Sequence, residues 1–418
     1  MTPFIALAGV DTLYLNVYYA DPERFTRIDR PLDDALQDQF NDLQQQAKRA
    51  RQDMVTPWSL YNKPLQMLSH GSGKQWYWIL HNDLVNVQIG NGDHRGLIAY
   101  IRVASEYLWS VNALHVVLND IRVLTHHIFS HEMYLTPSSI DLCADVVNWP
   151  METINHEAVV SRARKRRVKF DKDSLLLSSE VIFHGRKTGT IYVGERTSPV
   201  HAKVYDKLKE IKDGGNKKSW FLGLYGRNGH DGVAPVTRWE VSLKREALHD
   251  LDIETCDDLT NNLKGLWAYA VGSETVKPWM RYTVPTNDHI QTRWPMHPHW
   301  SILQHAFDSL SEEPAHELIR LKKQQVNMDA NTASIAGYLS SHAVLQSERD
   351  VVSIADMALE TTLADLYEEI EKRLQDKGVS FQQLLQAKQH RYYLREEKTR
   401  EVVKKRFKSV LSDDQEAI

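Results

Sequence analysis

Residues 184–210 read HGRKTGTIYVGERTSPVHAKVYDKLKE, and they decide the fold expected for the chain. Residues 190–194 and 201–206 have the composition of two β-strands, and a short polar turn joins them. The second strand places the phenol of Tyr205 beside several ammonium groups. Such surroundings suit a tyrosine that attacks a phosphodiester, because nearby cations stabilise the negative charge of the reacting phosphate.

Composition excludes few classes of function. The chain has 418 residues, of which 42% are hydrophobic and 25% charged, which is ordinary for a globular protein of two or three domains. A net charge of -4 gives no overall affinity for polyanions, so a nucleic-acid surface requires local clusters of Lys and Arg. The distant Cys143 and Cys256, with no secretory signal, indicate a reducing cytoplasm. No apolar run is long enough to predict a membrane span.

The N-terminal half predicts a sheet with helices packed on it. Residues 10–19 alternate around Leu13, Leu15 and Val17, as a strand with one buried face does. Asp11, at the start of this strand, is interpreted as a turn residue rather than a metal ligand. The further predicted elements are helices over 31–51 and 114–129 and an antiparallel meander over 75–80, 84–89 and 97–103.

Residues 139–147 predict a strand that has two carboxylates on one face. Asp141 and Asp145 share that face with Cys143, and apolar residues alternate with them. Burying two carboxylates is costly unless a cation meets them. The face is therefore either a solvent-exposed edge or a site for a cation.

Histidines at the end of the second predicted helix leave open a minor metal site. His127 and His131 are four residues apart and would share a helical face, with His126 and Glu132 close by. Ordinary solvated or hydrogen-bonded side chains are the favoured interpretation, because no spaced third ligand motif accompanies them. One of these histidines could still complete a carboxylate site.

Residues 161–169 form the densest positive run, with six cations and no acid. A charge run is usually a solvated face, but this one directly precedes the candidate site. Contact with DNA phosphates is therefore the favoured interpretation. The residues that we predict to bind DNA in this run are Arg162, Arg164, Lys165, Arg166 and Arg167.

The C-terminal part has helical periodicity. Residues 257–270 predict a helix, 284–298 an irregular linker, and 356–374 and 380–408 an acidic and a basic helix. These helices could bind DNA, dock on the catalytic domain or pair two subunits in a homodimer; solvated helix faces are an equal alternative. The predicted division is a catalytic domain over 1–250, a helix and linker over 251–300, and a helical region over 301–418.

Three ordered motifs resemble the replication initiation factor (Rep_trans) family of rolling-circle initiators and related relaxases. They are GTIYVGxRxS followed by KVYDKxKE within 189–210, SIDLCAD at 139–145, and TRWEVSLK at 237–244. The resemblance covers roughly residues 11–244. It implies an α+β fold, with an antiparallel catalytic sheet and packed helices of the HUH-like type.

The resemblance also implies which residues form the site. Tyr205 is the expected nucleophile and Tyr192 its competitor, with Lys207 as a cation beside the phosphate. Asp141, Glu240 and Asp145 would hold Mg²⁺ or Mn²⁺, since oxygen ligands suit hard ions. Lys203 and Arg238 are further expected contacts to DNA.

The expected activity is nicking and rejoining of one DNA strand at a replication or transfer origin of a plasmid, phage or integrative element. The enzyme would act on single-stranded or extruded DNA and hold its 5′ phosphate on Tyr205, with a helicase as partner. Trp76, Tyr77 and Trp78 could stack on bases, although core packing is the favoured interpretation. The alternatives are a non-catalytic origin-binding module and an assembly protein whose C-terminal helices join subunits.

Overall fold

A computed structural model describes residues 2–163, 181–184, 187–215 and 217–310, with a few isolated positions beyond them. The chain divides into two compact units, Met1–Lys322 and Lys323–Ile418. The described positions of the second unit, among them Tyr338 and Tyr367, are helical. The other residues of the helices predicted over 356–374 and 380–408 lie outside the described residues.

The first unit contains the following strands: β1 Phe4–Asp21, β2 Thr26–Ile28, β3 Met54–Leu60, β4 Lys63–Met67, β5 Trp78–His81, β6 Val85–Ile89, β7 Ala99–Val103, β8 Met133–Val147, β9 Val159–Ser161, β10 Val181–His184, β11 Lys187–Val193, β12 Val200–Asp206, β13 Val236–Lys244 and β14 Met280–Tyr282. The predicted strands before and after the polar turn, residues 190–194 and 201–206, are confirmed as β11 and β12. The predicted meander is confirmed as β5, β6 and β7.

The helices are α1 Asp34–Ala50, α2 Ser105–Val111, α3 Leu114–Phe129, α4 Lys207–Asp213, α5 Trp220–Arg227, α6 Arg245–Asp250, α7 Cys256–Asn261, α8 Leu263–Val271 and α9 Trp300–Gln304. Short 3₁₀ turns cover Met151–Thr153, His156–Ala158, Gln291–Arg293 and Asp308–Leu310. The helix predicted over 114–129 is confirmed as α3, whose apolar residues follow one face. The single helix predicted over 257–270 is wrong, because a break at Asn262 separates α7 from α8.

Within the described residues, 12 strands form one antiparallel sheet in the order β10-β11-β12-β13-β8-β1-β7-β6-β5-β4-β3, with β2 paired to the end of β1. The long strands β1 and β8 pair along nearly their whole length at the centre. Strand β1 begins at Phe4, several residues before the predicted start, because Phe4 to Val10 pair with the C-terminal half of β8. The α+β class and the antiparallel sheet are therefore confirmed.

One face of the sheet is apolar and packs against helices. Leu13, Leu15 and Val17 of β1 are fully buried on this face, together with Trp239 and Val241 of β13. Helices α1, α3, α7, α8 and α9 supply the other half of this core. The opposite face is polar where β12, β13 and β8 run side by side, and a smaller apolar cluster from α2 and α5 covers part of it.

Residues 251–310 pack into the first unit. The indole of Trp300 is fully buried, donates to the carbonyl of Val271 at 2.9 Å and lies edge-to-face with Trp239 of β13 at 5.1 Å. Trp267 is buried in the same core. Residues on both sides of position 250 thus contribute to one hydrophobic core.

Trp300→Phe tests this packing. The shorter ring leaves a small cavity and the Val271 carbonyl without its donor, so we expect the free energy of unfolding to fall by about 1–3 kcal/mol. Urea unfolding of the full chain measures it. Met296→Ala is the control, because that side chain is 44% exposed and should change stability by no more than about 0.5 kcal/mol. Equal midpoints for the two variants would contradict a core role for Trp300.

Candidate active site

The register of β12, β13 and β8 places the charged residues of the candidate site next to one another on one face of the sheet. Lys203 and Tyr205 of β12 lie opposite Glu240 and Arg238 of β13, and Arg238 in turn lies opposite Asp145 of β8. Side chains of a strand alternate between faces, so these charged groups share one face while the intervening apolar residues enter the core. The sequence-based assignment of Asp141, Cys143 and Asp145 to one face of β8 agrees with this register.

Glu240 joins two of the predicted site residues. Its Oε1 accepts a hydrogen bond from Lys203 Nζ at 2.6 Å, and its Oε2 accepts one from the Tyr205 hydroxyl at 2.9 Å. Glu240 is only 3% exposed, so the Lys203 charge is what makes a buried carboxylate tolerable there. The arrangement is a potential nucleophile hydrogen-bonded to a potential base.

Tyr205 is a neutral phenol in this setting. Burial, and then the negative charge of Glu240, raise its pKa well above the usual value. Attack by its oxygen therefore requires a group that takes the proton as the new bond forms, and Glu240 is in place to do so. Tyr192 of β11 lies opposite Lys203, half-buried, with the Arg196 guanidinium 5.7 Å from its ring centroid.

The ionised form of Asp141 is disfavoured in this site, and a bound cation would stabilise it. Burial, and then the nearby charge of Glu240, raise its pKa to about 7, although Ser242 donates a hydrogen bond to its Oδ1. Two carboxylates together with substrate phosphate oxygens are a donor set that Mg²⁺ commonly uses. Asp141 therefore fits such an ion in its chemistry. Both oxygens of Glu240 already accept hydrogen bonds, from Lys203 and from Tyr205, so an ion bound there would replace one of those two bonds.

Asp145 does not fit the metal role predicted for it. Arg238 donates to its Oδ1 and Oδ2 at 2.6 and 2.7 Å, and the Tyr225 hydroxyl adds a bond of 2.8 Å. Arg238 also donates to Asp11 at 2.6 Å, so one guanidinium binds two carboxylates. Asp145 and Arg238 have no exposed surface. Arg238 is enclosed in this structure, and its contact to DNA stays a prediction. Asp11 is a buried ion-pair residue within β1 and not a turn residue.

Lys207 is also enclosed. It is fully buried, and its Nζ donates to Glu210 at 2.8 Å and lies 4.5 Å from the Phe221 ring centroid. Burial, and then the positive charge of Arg238, lower its pKa. In this structure the Lys207 ammonium lies 5.8 Å from the Tyr205 ring centroid with no exposed surface, and its contact to a phosphate stays a prediction.

A cavity of about 770 Å³ opens beside Asp141 and Lys203. It is lined by Tyr14, Tyr100, Ser138, Ser139, Asp141, Arg196, Thr197, Pro199, His201, Lys203, Ser242, Lys244, Arg245 and Glu246. Sequence reasoning missed His201 and Ser242, although each lies two residues from a predicted site residue and so shares its strand face. His201 is 9% exposed, and its Nδ1 has no hydrogen-bond partner.

The remaining predicted residues lie elsewhere. Arg162 donates to the main-chain carbonyl of Lys277 at 2.7 Å, and residues 164–167 of the basic run lie outside the described residues. His131 meets Asp33 at 2.6 Å. Across the described part of the chain, no group of three or more His, Cys, Asp or Glu side chains is arranged to hold a metal ion. In that same part, no helix is long and apolar enough to cross a membrane.

Fold and site together define an α+β protein with a tyrosine, lysine and carboxylate cluster on one face of an antiparallel sheet. No family model matches the chain, and the search of curated proteins found no match. The chain is similar to a solved rolling circle replication initiator protein from Geobacillus stearothermophilus, with a TM-score of 0.40 and 13% identity, over 76% of this chain and 100% of that one. A likeness of this size decides neither family nor chemistry.

Proposed function

We propose that this protein nicks and rejoins one DNA strand, as an initiator of rolling-circle replication or of transfer of a plasmid, phage or integrative element. The observation that carries the proposal is the Tyr205 hydroxyl donating to Glu240, whose second oxygen accepts from Lys203. The neighbouring cavity has four cationic side chains, which suits a phosphodiester.

The proposed step balances as follows. The Tyr205 oxygen attacks the phosphorus of the scissile phosphodiester, and its proton passes to Glu240. The bond from phosphorus to the 3′ oxygen of the preceding nucleotide breaks, that oxygen takes a proton from water, and Glu240 returns its proton to the hydroxide that remains. The products are a 5′-phosphotyrosyl ester and a free 3′ hydroxyl, and the reverse attack by the 3′ hydroxyl rejoins the strand. The total number of phosphodiester linkages is conserved.

Asp141 and Glu240 would hold the Mg²⁺ or Mn²⁺ ion in this proposal. The ion would polarise the scissile phosphate when bound. Lys203 donates to one oxygen of Glu240 and so holds its other oxygen against the Tyr205 hydroxyl, and the burial of Glu240 keeps water from competing for that hydroxyl.

The test is incubation of the full chain with single-stranded and hairpin oligonucleotides labelled at the 3′ end, with Mn²⁺ or with EDTA. Denaturing gels then separate protein-linked DNA from free DNA. We expect a covalent adduct with Mn²⁺ that retains the 3′ label, because the 5′ phosphate stays on the protein. A library of oligonucleotides that binds tightly and yields no adduct would instead indicate a non-catalytic DNA-binding module.

A further inference from the structure

The cavity beside the site has an aromatic wall. The rings of Tyr14 and Tyr100 stack with centroids 5.5 Å apart and an interplanar angle of 18°. Trp76 stacks on Tyr100 at 5.9 Å and 23°, so three rings from separate parts of the chain form one column. Tyr14 and Trp76 are the two ends of this column, Tyr14 and Tyr100 line the cavity, and all three rings are half-buried. Stacked rings at a strand surface are the usual platform for unpaired bases.

The opposite wall is cationic. Arg196, Lys203, Lys244 and Arg245 line the cavity, against the two carboxyl groups of Asp141 and Glu246. Lys203 and Arg245 are themselves ion-paired with Glu240 and Glu254, so a phosphate contact is assigned to Arg196 and Lys244.

His201 is the second observation that points to a ligand. It lines the cavity, and its Nδ1 is buried without a hydrogen-bond partner. Burial, and then the charges of Lys203, Lys244 and Arg196, lower its pKa to about 4, so the imidazole is neutral at physiological pH. A buried polar atom without a partner is costly, and a ligand oxygen or N–H group would satisfy it.

We propose that this cavity is a subsite for one nucleotide of single-stranded DNA, next to the bond that is cut. The base stacks on Tyr14, the phosphate meets Arg196 and Lys244, and His201 Nδ1 completes a hydrogen bond to the nucleotide. The volume of about 770 Å³ is within the range of roughly 300–1,000 Å³ that small-ligand sites occupy. The subsite rests on the proposed function in one respect, namely that DNA is the substrate.

The test measures equilibrium binding without cleavage. Fluorescence anisotropy of a labelled single-stranded oligonucleotide in EDTA gives the Kd of the full chain. We expect Tyr14→Leu to weaken binding roughly 10-fold, because the stacking platform is lost, and Tyr14→Phe to bind like the wild type, because it keeps the ring. Equal affinities for Tyr14→Leu and Tyr14→Phe would contradict the stacking of a base on Tyr14.

Abasic oligonucleotides test the same contact without changing the protein. When one base is removed at each position in turn, one abasic position should weaken binding to the wild type by a similar factor. At that position, Tyr14→Leu should bind no worse than the wild type. If the abasic position and Tyr14→Leu each weaken binding by their full factor when combined, the removed base does not stack on Tyr14.

The phosphate wall has its own measurement. Arg196→Ala should reduce the slope of log Kd against log salt by roughly 0.7, the value for one phosphate contact on a single strand. Arg24→Ala is the matched control, because that side chain is 80% exposed and does not line the cavity. An unchanged slope for Arg196→Ala would remove it from the subsite.

The two proposals fail in different ways. A wild type that binds single strands with this Tyr14 dependence but never forms an adduct leaves the subsite standing and overturns nicking. If Tyr14→Leu changes neither DNA binding nor adduct formation, the nicking proposal holds and the nucleotide subsite is contradicted. A wild type without measurable affinity for single strands overturns both.

Discussion

Arg238→Met is expected to lower the free energy of unfolding by about 3–5 kcal/mol, since it leaves buried carboxylates without their cation. Arg238 has no exposed surface and donates to Asp145 through two nitrogens and to Asp11 through a third. Asp145 is itself fully buried, so water cannot replace the guanidinium. Guanidinium chloride unfolding at pH 7, followed by far-UV circular dichroism, measures the loss.

The loss should depend on pH with a definite sign. Burial opposes the charged form of Asp11, but Arg238 and then Lys207 hold its pKa below the usual range in the native chain. That depressed pKa contributes stability above the unfolded value of about 4, and the contribution is lost as pH falls. Without Arg238 the buried Asp11 carboxyl instead takes up a proton on folding, so the difference in unfolding free energy between wild type and variant should shrink as pH falls through about 4.

Two matched variants separate charge from geometry at Arg238. Arg238→Lys keeps a cation but loses the bidentate contact to Asp145. Its free energy of unfolding should therefore lie between that of the wild type and that of Arg238→Met. Tyr225→Phe removes one hydrogen bond to Asp145 and leaves the ion pair, so it should lower the free energy of unfolding by about 1–2 kcal/mol. A stability of Arg238→Met equal to that of Tyr225→Phe would show that the buried ion pair is not what holds these strands together.

The alternation of polar and apolar residues predicts which side chains share a face of a strand, but it does not predict which residues of other strands they contact. The alternation in residues 139–147 places Asp141 and Asp145 together on the polar face, as the structure has them. It does not say which of the two meets a cation from the protein. Arg238 is 93 residues from Asp145 and 227 from Asp11, and register shifts in β1, one of them next to Asp11, help to decide which side chains meet.

Lys207 shows the same limit at the other end of the site. The sequence places it two residues from Tyr205, and the family resemblance predicts it as a cation beside the phosphate. The structure instead begins α4 at Lys207 and packs Phe221 of α5 against its ammonium group. That cover depends on a helix folding back onto the sheet, which no local pattern around Lys207 reveals.

Tyr205→Phe is expected to abolish the covalent adduct with DNA, with a loss on the order of 10³-fold or more, because the variant lacks the oxygen that attacks phosphorus. The fold should persist, since Glu240 keeps its ion pair with Lys203 at 2.6 Å. Binding of single-stranded DNA in EDTA should match the wild type and so show that the loss is chemical. The measurement is the rate of adduct formation on a denaturing gel under single-turnover conditions.

Tyr192→Phe is the matched control, since Tyr192 is the competing nucleophile on the neighbouring strand and faces the same Lys203. It should form the adduct at nearly the wild-type rate, because Glu240 Oε2 accepts its proton from Tyr205. Glu240→Gln should form the adduct roughly 10²–10⁴-fold more slowly, since an amide cannot take the proton. Loss of the adduct in Tyr192→Phe alone would move the nucleophile to β11 and leave Tyr205 as a hydrogen-bonded neighbour of Glu240.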